Sequence, residues 1–409
     1  MSNLKKILLI LGLIIVTTLL AYGIYYFFKK TGPISSLPTN QGDNQQNEAN
    51  QFNQTGNSTA STSIVTSNEM VILPSAGMIN IQEATYYQPE YSQPLVTENT
   101  INASVSNAGG IRYYNESDGK FYKTDTDGNK QALSEREFYN VQNITWANKD
   151  DKAVLEYPDG SKIIYNFAND KQVSLPKHWE EFNFSPDDTK IAAKSLGLSP
   201  ENRWLVTMND DGSGTRLISP LGENADKVTI SWSPNNKSIA FTETGEALGA
   251  YRKEILFVGL NGENFKSFVA EGMDFRAKWA DAGDKILYSV YSSRTDYRPE
   301  IWVVNADGST IGSGRKNIEL NTWAEKCTFG DSNTLYCAVP RSLPTGAGIT
   351  PAIANNTYDD IYKIDLATGF KNAVTTGGDY TVNTIEFDKN SGKLIFTDKN
   401  KSGIYEIGL

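Results

Sequence analysis

The sequence predicts an all-β protein, a seven-bladed β-propeller of four-stranded blades with six blades as the alternative, preceded by one transmembrane helix and a disordered polar linker. Three observations predict it. A strand-turn-strand unit closing on an aromatic recurs six times, its copies fall 38 to 58 residues apart, the length of one four-stranded blade, and the repeat region shows no 3.6-residue apolar period.

The first element is the anchor. Ile7 to Phe28 is an unbroken apolar run bracketed by Lys5-Lys6 and Lys29-Lys30. A helix rising about 1.5 Å per residue needs roughly 20 residues to cross a hydrocarbon core of about 30 Å, so this run suffices. The competing reading, a cleaved signal peptide, calls for an apolar stretch of about 7–15 residues ending in an A-x-A-like site. This run is longer and closes on bulky Tyr25, Tyr26, Phe27 and Phe28. Residues 31–111 contain no Lys or Arg. The positive-inside rule therefore places residues 1–6 in the cytoplasm and everything after Lys30 outside, in the periplasm or at the cell surface.

The second element, residues 31–67, is rich in Asn, Gln, Ser, Thr and Gly. It cannot bury enough apolar surface to offset the entropy of ordering it, and is expected to be a flexible tether. Residues 68–409 are assigned to the propeller, with the repeats at 110–409. Residues 68 to about 100 mix short apolar runs with Pro and Gly and are expected to pack partly against it.

The repeats start as NITWANKDDKAVLEY from Asn143, FNFSPDDTKIAAKS from Phe182, TISWSPNNKSIAFTE from Thr229, AKWADAGDKILYSV from Ala277, CTFGDSNTLYCAV from Cys327 and TIEFDKNSGKLIFTD from Thr384. They align Trp146, Phe184, Trp232, Trp279, Phe329 and Phe387. Two residues earlier stand Ile144, Phe182, Ile230, Ala277, Cys327 and Ile385. Residues two apart on a strand share a face, so each copy buries the same pair against its neighbours. In Ser-Pro-Asp-Asp and Ser-Pro-Asn-Asn, Pro presets φ for a turn and Asp or Asn accepts local backbone bonds. Third strands follow in the same register, as in WLVTMNDDG, IWVVNADG and IYKIDLATG.

A further hairpin from Gly110 to Ser134, with its own first strand near Ile101 to Ser106, makes a seventh blade. The C-terminus stops after a third strand. An N-terminal segment such as Met70 to Leu73 is expected to supply the missing outer strand, closing the ring and removing its exposed edges.

The units FSPDDTKIAA and WSPNNKSIAF resemble the WD-like repeats of the TolB-type propellers, a group that includes the propellers of prolyl oligopeptidase-like peptidases. The resemblance covers roughly Gly110 to Leu409. It implies a propeller and a binding role in the cell envelope. Later copies depart from the pattern, with Asp281-Ala282-Gly283, Gly330-Asp331-Ser332 and Asp388-Lys389-Asn390 in place of Ser-Pro-Asp. The peptidase branch implies a Gly-x-Ser-x-Gly nucleophile elbow, which this sequence lacks.

Composition narrows the chemistry. The formal charge is −10 with no clustered basic face, which argues against nucleic acid as a partner. A single histidine, His178, disfavours zinc sites and leaves a Ser-His-Asp arrangement dependent on that residue. It reads as a strand-edge residue, and neither a catalytic residue, a metal nor a cofactor is assigned. Cys327 and Cys337, the two cysteines, fall opposite each other in a hairpin symmetric about Ser332. They are a disulfide candidate in an oxidising compartment, or else small core residues.

Loops between second and third strands gather on one face of a propeller, and variable loops on a rigid scaffold are where binding usually lives. Tyr251, Arg252, Arg294, Tyr297, Arg298 and Arg341 fall in them, and Tyr and Arg are the residues enriched at interface hot spots. The expected function is a non-catalytic scaffold, held by its helix in the membrane of the cell envelope and binding another envelope protein or an envelope polymer. The alternative is a propeller enzyme, a glycan or peptide hydrolase or lyase using channel carboxylates, although the aligned strands supply mostly Ile, Phe, Trp and Lys, with Glu181, Glu325 and Glu386 scattered.

Overall fold

The computed structural model describes residues 91–409 except 126, 127 and 264, together with residues 18 and 22. The expected anchor 7–28 lies outside the described residues except for Thr18 and Tyr22, both helical, and the linker 31–67 and Met70–Leu73 lie outside them entirely. Among the described residues no helix is long and apolar enough to cross a membrane.

Seven four-stranded antiparallel sheets make seven blades. Their first strands are Thr100–Val105, Asn143–Trp146, Trp179–Phe184, Val228–Ile230, Met273–Trp279, Cys327–Phe329 and Val382–Asp388. In blades one to six the strands follow chain order from the axis outward. Blade seven takes its outer strand from the other end of the domain. Gln93–Val96 pairs with the last strand, Ile404–Ile407, with Gln93 opposite Glu406 and Val96 opposite Ile404. The ring is therefore closed by Gln93–Val96 and not by Met70–Leu73. The first strand of blade one lies one residue before the expected Ile101–Ser106.

The second strand of each blade has sheet neighbours on both sides and packed blades on both faces, so its apolar residues run on without alternating. Ile191, Ala192 and Ala193, then Ile239, Ala240 and Phe241, then Ile286, Leu287 and Tyr288 are all buried. These are the IAA, IAF and ILY of the repeats. The aligned aromatics take equivalent places. Trp146 pairs with Ala153, Phe184 with Ile191, Trp279 with Ile286, Phe329 with Leu335 and Phe387 with Leu394. Each aromatic leans on the preceding blade, as Trp279 stacks on Phe241 at 5.3 Å.

Four residues beyond the aromatic position the turn needs a left-handed residue, supplied by Asp188 (φ 58°), Asn236 (φ 60°) and Gly283 (φ 67°). Asp, Asn and Gly tolerate that conformation best. The same turns staple the ring. Buried Asp188 accepts hydrogen bonds from the backbone N–H of Asn148, Lys149 and Asp150 in blade two, and Asn235 donates to the Gly283 carbonyl in blade five. In blade six, Cys327 stands directly opposite Cys337, and a disulfide joins them within the core.

Candidate functional site

Because successive strands are antiparallel, second-to-third-strand loops and blade-to-blade connections emerge at one end of the ring, and first-to-second-strand turns at the other. At the first end, the loops of blades four, five and six fasten to one another. The hydroxyls of Tyr251 and Tyr297 lie 3.3 Å apart, and this bond holds the Tyr297 phenol above its ordinary pKa. The long loop 341–358 folds over blade five, where the N–H groups of Gly346 and Gly348 donate to the carbonyls of Asp296 (2.9 Å) and Tyr297 (2.7 Å). A Cβ on Gly348 would stand 2.5 Å from the Tyr291 ring, so the close approach needs glycine. Asp296 and Tyr297 both adopt left-handed φ, 52° and 56°, a conformation uncommon outside glycine. Their two carbonyls are the ones that receive the loop.

The six residues marked in the sequence divide into two groups. Tyr251, Arg252 and Arg294 border one recess of about 600 Å³, with Arg252 exposed. Arg294 pairs at 2.9 Å with Glu271, which Arg315 also holds at 2.8 Å. These two guanidiniums keep the Glu271 carboxyl below the usual carboxylate range. Arg298 instead donates to the Leu343 carbonyl at 2.7 Å and pairs with Asp296 at 3.1 Å, clamping the long loop. Tyr297 supports that loop through its carbonyl. Arg341 pairs with Asp360 (2.8 Å) and Asp379 (2.6 Å), joining blade six to its connection with blade seven.

Sequence reasoning missed the apolar part of this surface. Ile349, Ile353 and Tyr358 on the long loop are 57%, 47% and 47% exposed. The available signal was two isoleucines in a Gly- and Ala-rich loop that has no strand for them to serve.

On the axis, the innermost strands turn their unpaired edges to a channel, and side chains from blades one, three, five and seven reach forward to cap the next. Asn102 donates to the Ile144 carbonyl at 3.3 Å, Asn183 accepts from the Trp232 N–H at 2.8 Å and Glu386 accepts from the Val105 N–H at 2.7 Å. Lys278 donates to the carbonyls of Cys327 (3.0 Å) and Ile385 (3.1 Å), reaching past blade six to blade seven. Thr328, its counterpart in blade six, is too short to make that bond. Glu181 binds Lys194 at 2.6 Å and Glu325 binds Arg276 at 2.5 Å. The carboxylates nearest the axis are thus tied to cations or to backbone N–H groups. His178 is exposed ahead of the first strand of blade three.

No protein-family model and no curated protein matches the sequence. Among solved structures the chain is similar to an oligogalacturonate lyase in complex with manganese, at 14% identity over 79% of this chain and 95% of that one, with a TM-score of 0.55. It is also similar to the Cps50 (Swd1) β-propeller domain of Myceliophteria thermophila, at 11% identity over 78% of this chain and 99% of that one, with a TM-score of 0.51. Against the tricorn protease, at 11% identity and a TM-score of 0.48, 79% of this chain spans 34% of the other. The first two likenesses show the fold, a β-propeller.

Proposed function

We propose that this chain is a membrane-anchored, extracytoplasmic propeller of TolB-like kinship that performs no catalysis and binds a partner of the cell envelope through the loops of blades four to six. The observation that carries the proposal is the mutual fastening of those loops by Tyr251, Tyr297, Gly348 and Arg298. A surface fixed before binding loses little entropy on association. It sets Ile349, Ile353 and Tyr358 in the open, Tyr358 beside Arg341, with Arg294 one loop and Arg252 two loops away, a mixture of apolar, aromatic and guanidinium groups suited to a protein partner.

The location is supported by the apolar run Ile7–Phe28, the Lys- and Arg-free stretch after it, and the Cys327–Cys337 disulfide, a bond that persists in oxidising compartments. The enzymatic alternative calls for a pair of carboxylates free to exchange protons with a substrate. Glu181 is held by Lys194 of its own blade and by the Ile230 N–H of the next, and Glu325 and Glu386 by neighbouring blades, which favours binding.

The test is crosslinking in intact cells, comparing the full chain with the double variant Ile349→Asp/Ile353→Asp and with Arg252→Glu. A crosslinked partner band in the parent should fall about tenfold in the variants, the loss expected at a hot spot, with the melting temperature unchanged. The same band at equal strength in every variant would refute this surface.

A further inference from the structure

At the turn end of the ring, opposite the fastened loops, the axial channel widens into a cavity of about 500 Å³ lined by residues of all seven blades. Lys278 lies in its wall. Lys278 is partly buried, and the buried lysines each have a carboxylate within reach: Lys152 has Asp210, Lys162 has Glu156 at 3.8 Å, Lys194 has Glu181 at 2.6 Å and Lys326 has Asp359 at 2.6 Å. Lys278 has no such partner among the described residues. Its ammonium is held by two carbonyls, which use two of its three N–H donors.

The carboxylates bordering the cavity, Asp281 and Glu386, favour the Lys278 charge from a distance without making an ion pair with it. Asp281 pairs with Lys389 at 2.5 Å, and Glu386 accepts the Val105 N–H. Lys149 adds a further positive charge at the mouth. Beside Lys278 in ring order, Thr328 is 6% exposed, and its hydroxyl makes no hydrogen bond to a described residue. Lys278 is thus a partly buried ammonium with an N–H to spare, and Thr328 a hydroxyl with no partner among the described residues that opens to the same cavity. Placed together in one cavity, they are the donor set for an anion.

We infer that the turn end of the channel is a binding site for a small oxyanion, a carboxylate or phosphate group, held by the third N–H of Lys278 and the hydroxyl of Thr328. Desolvation in the channel wall draws the Lys278 amine below its ordinary pKa against the pull of Glu386, Asp281 and Glu325, and a bound anion would add to that pull. The site is at the opposite end of the ring from the loops proposed to bind the partner, so either assignment can fail without the other.

The experiment is calorimetric titration of the purified full chain with inorganic phosphate, acetate and glucuronate at matched ionic strength, using sodium chloride as the blank. One saturable site is expected for at least one anion, and the tightest of the three identifies the group recognised. Thr328→Val keeps the shape of the side chain and both carbonyl contacts of Lys278. It should weaken binding about tenfold, the loss of one hydrogen bond to a charged group, without lowering the melting temperature. Lys278→Met should abolish binding. The proposal is overturned by the absence of any saturable heat beyond the chloride blank, or by equal affinity in the parent and Thr328→Val. Thr328→Val decides the matter even if loss of the Lys278 caps unfolds Lys278→Met.

Discussion

Lys326 and Asp359 show what single residues contribute to joining blades. They meet at 2.6 and 2.7 Å with 5% and 0% of their side chains exposed. Asp359 also accepts the Val382 N–H at 2.7 Å, so one carboxylate ties blade six to blade seven. Burial pulls the lysine down and pushes the carboxyl up, and the three hydrogen bonds to one carboxylate oppose that shift. Asp359→Asn removes the counter-charge and leaves a buried ammonium, a change expected to cost about 3–5 kcal/mol. Urea unfolding measures it, and a loss below about 1 kcal/mol would mean that water reaches Lys326. The exposed pairs of Arg341 with Asp360 and Asp379 face solvent and should each contribute about 1 kcal/mol or less.

The elements differ in how far local sequence reveals them. Central strands were legible because burial on both faces writes an unbroken apolar run, as in Ile191 to Ala193 and Ile286 to Tyr288. The turns were legible because Asp188 and Asn236 fill a left-handed slot that few residue types tolerate. The docking of loop 341–358 was not, since it depends on Gly348 meeting Tyr291, far apart in sequence and joined by no periodicity. The channel caps were also hidden, because Lys278 and Glu386 look like ordinary polar alternation until the next blade supplies the backbone groups they bind. Gly348→Ala tests the docked loop, because the added methyl has no room beside Tyr291. Hydrogen exchange of residues 341–358 should quicken about tenfold or more, as local opening becomes easier by about 1.4 kcal/mol, with the blade strands unchanged. Unaltered exchange in the loop would show that Tyr291 yields instead.

Ring closure belongs to the whole molecule: an N-terminal strand was expected to complete the last blade and does, but it is Gln93–Val96 and not Met70–Leu73. Gln93–Val96 is short and interrupted by Pro94, with Gln93 and Pro94 exposed. Four residues with only Val96 buried are too few to show an alternating pattern. Its importance comes from topology. Val96 is buried in the core shared by blades seven and one, with Ile111, Tyr113, Ile395 and Ile404, and Pro94 and Val96 stand opposite Tyr405 and Ile404. Without this strand, Ile404–Ile407 would present an unpaired edge, a template for association with other chains. Two truncations separate this role from that of the preceding residues. A chain starting at residue 91 keeps the closing strand and should melt at the temperature of the parent. A chain starting at residue 99 loses it, together with about 3 kcal/mol of apolar burial from Val96 and Leu95, and should melt at least about 5 °C lower. Light scattering should show that the second truncation associates on standing while the first stays monodisperse. Equal melting temperatures would mean that blade seven is stable with three strands and that closure by the two ends of the domain is dispensable.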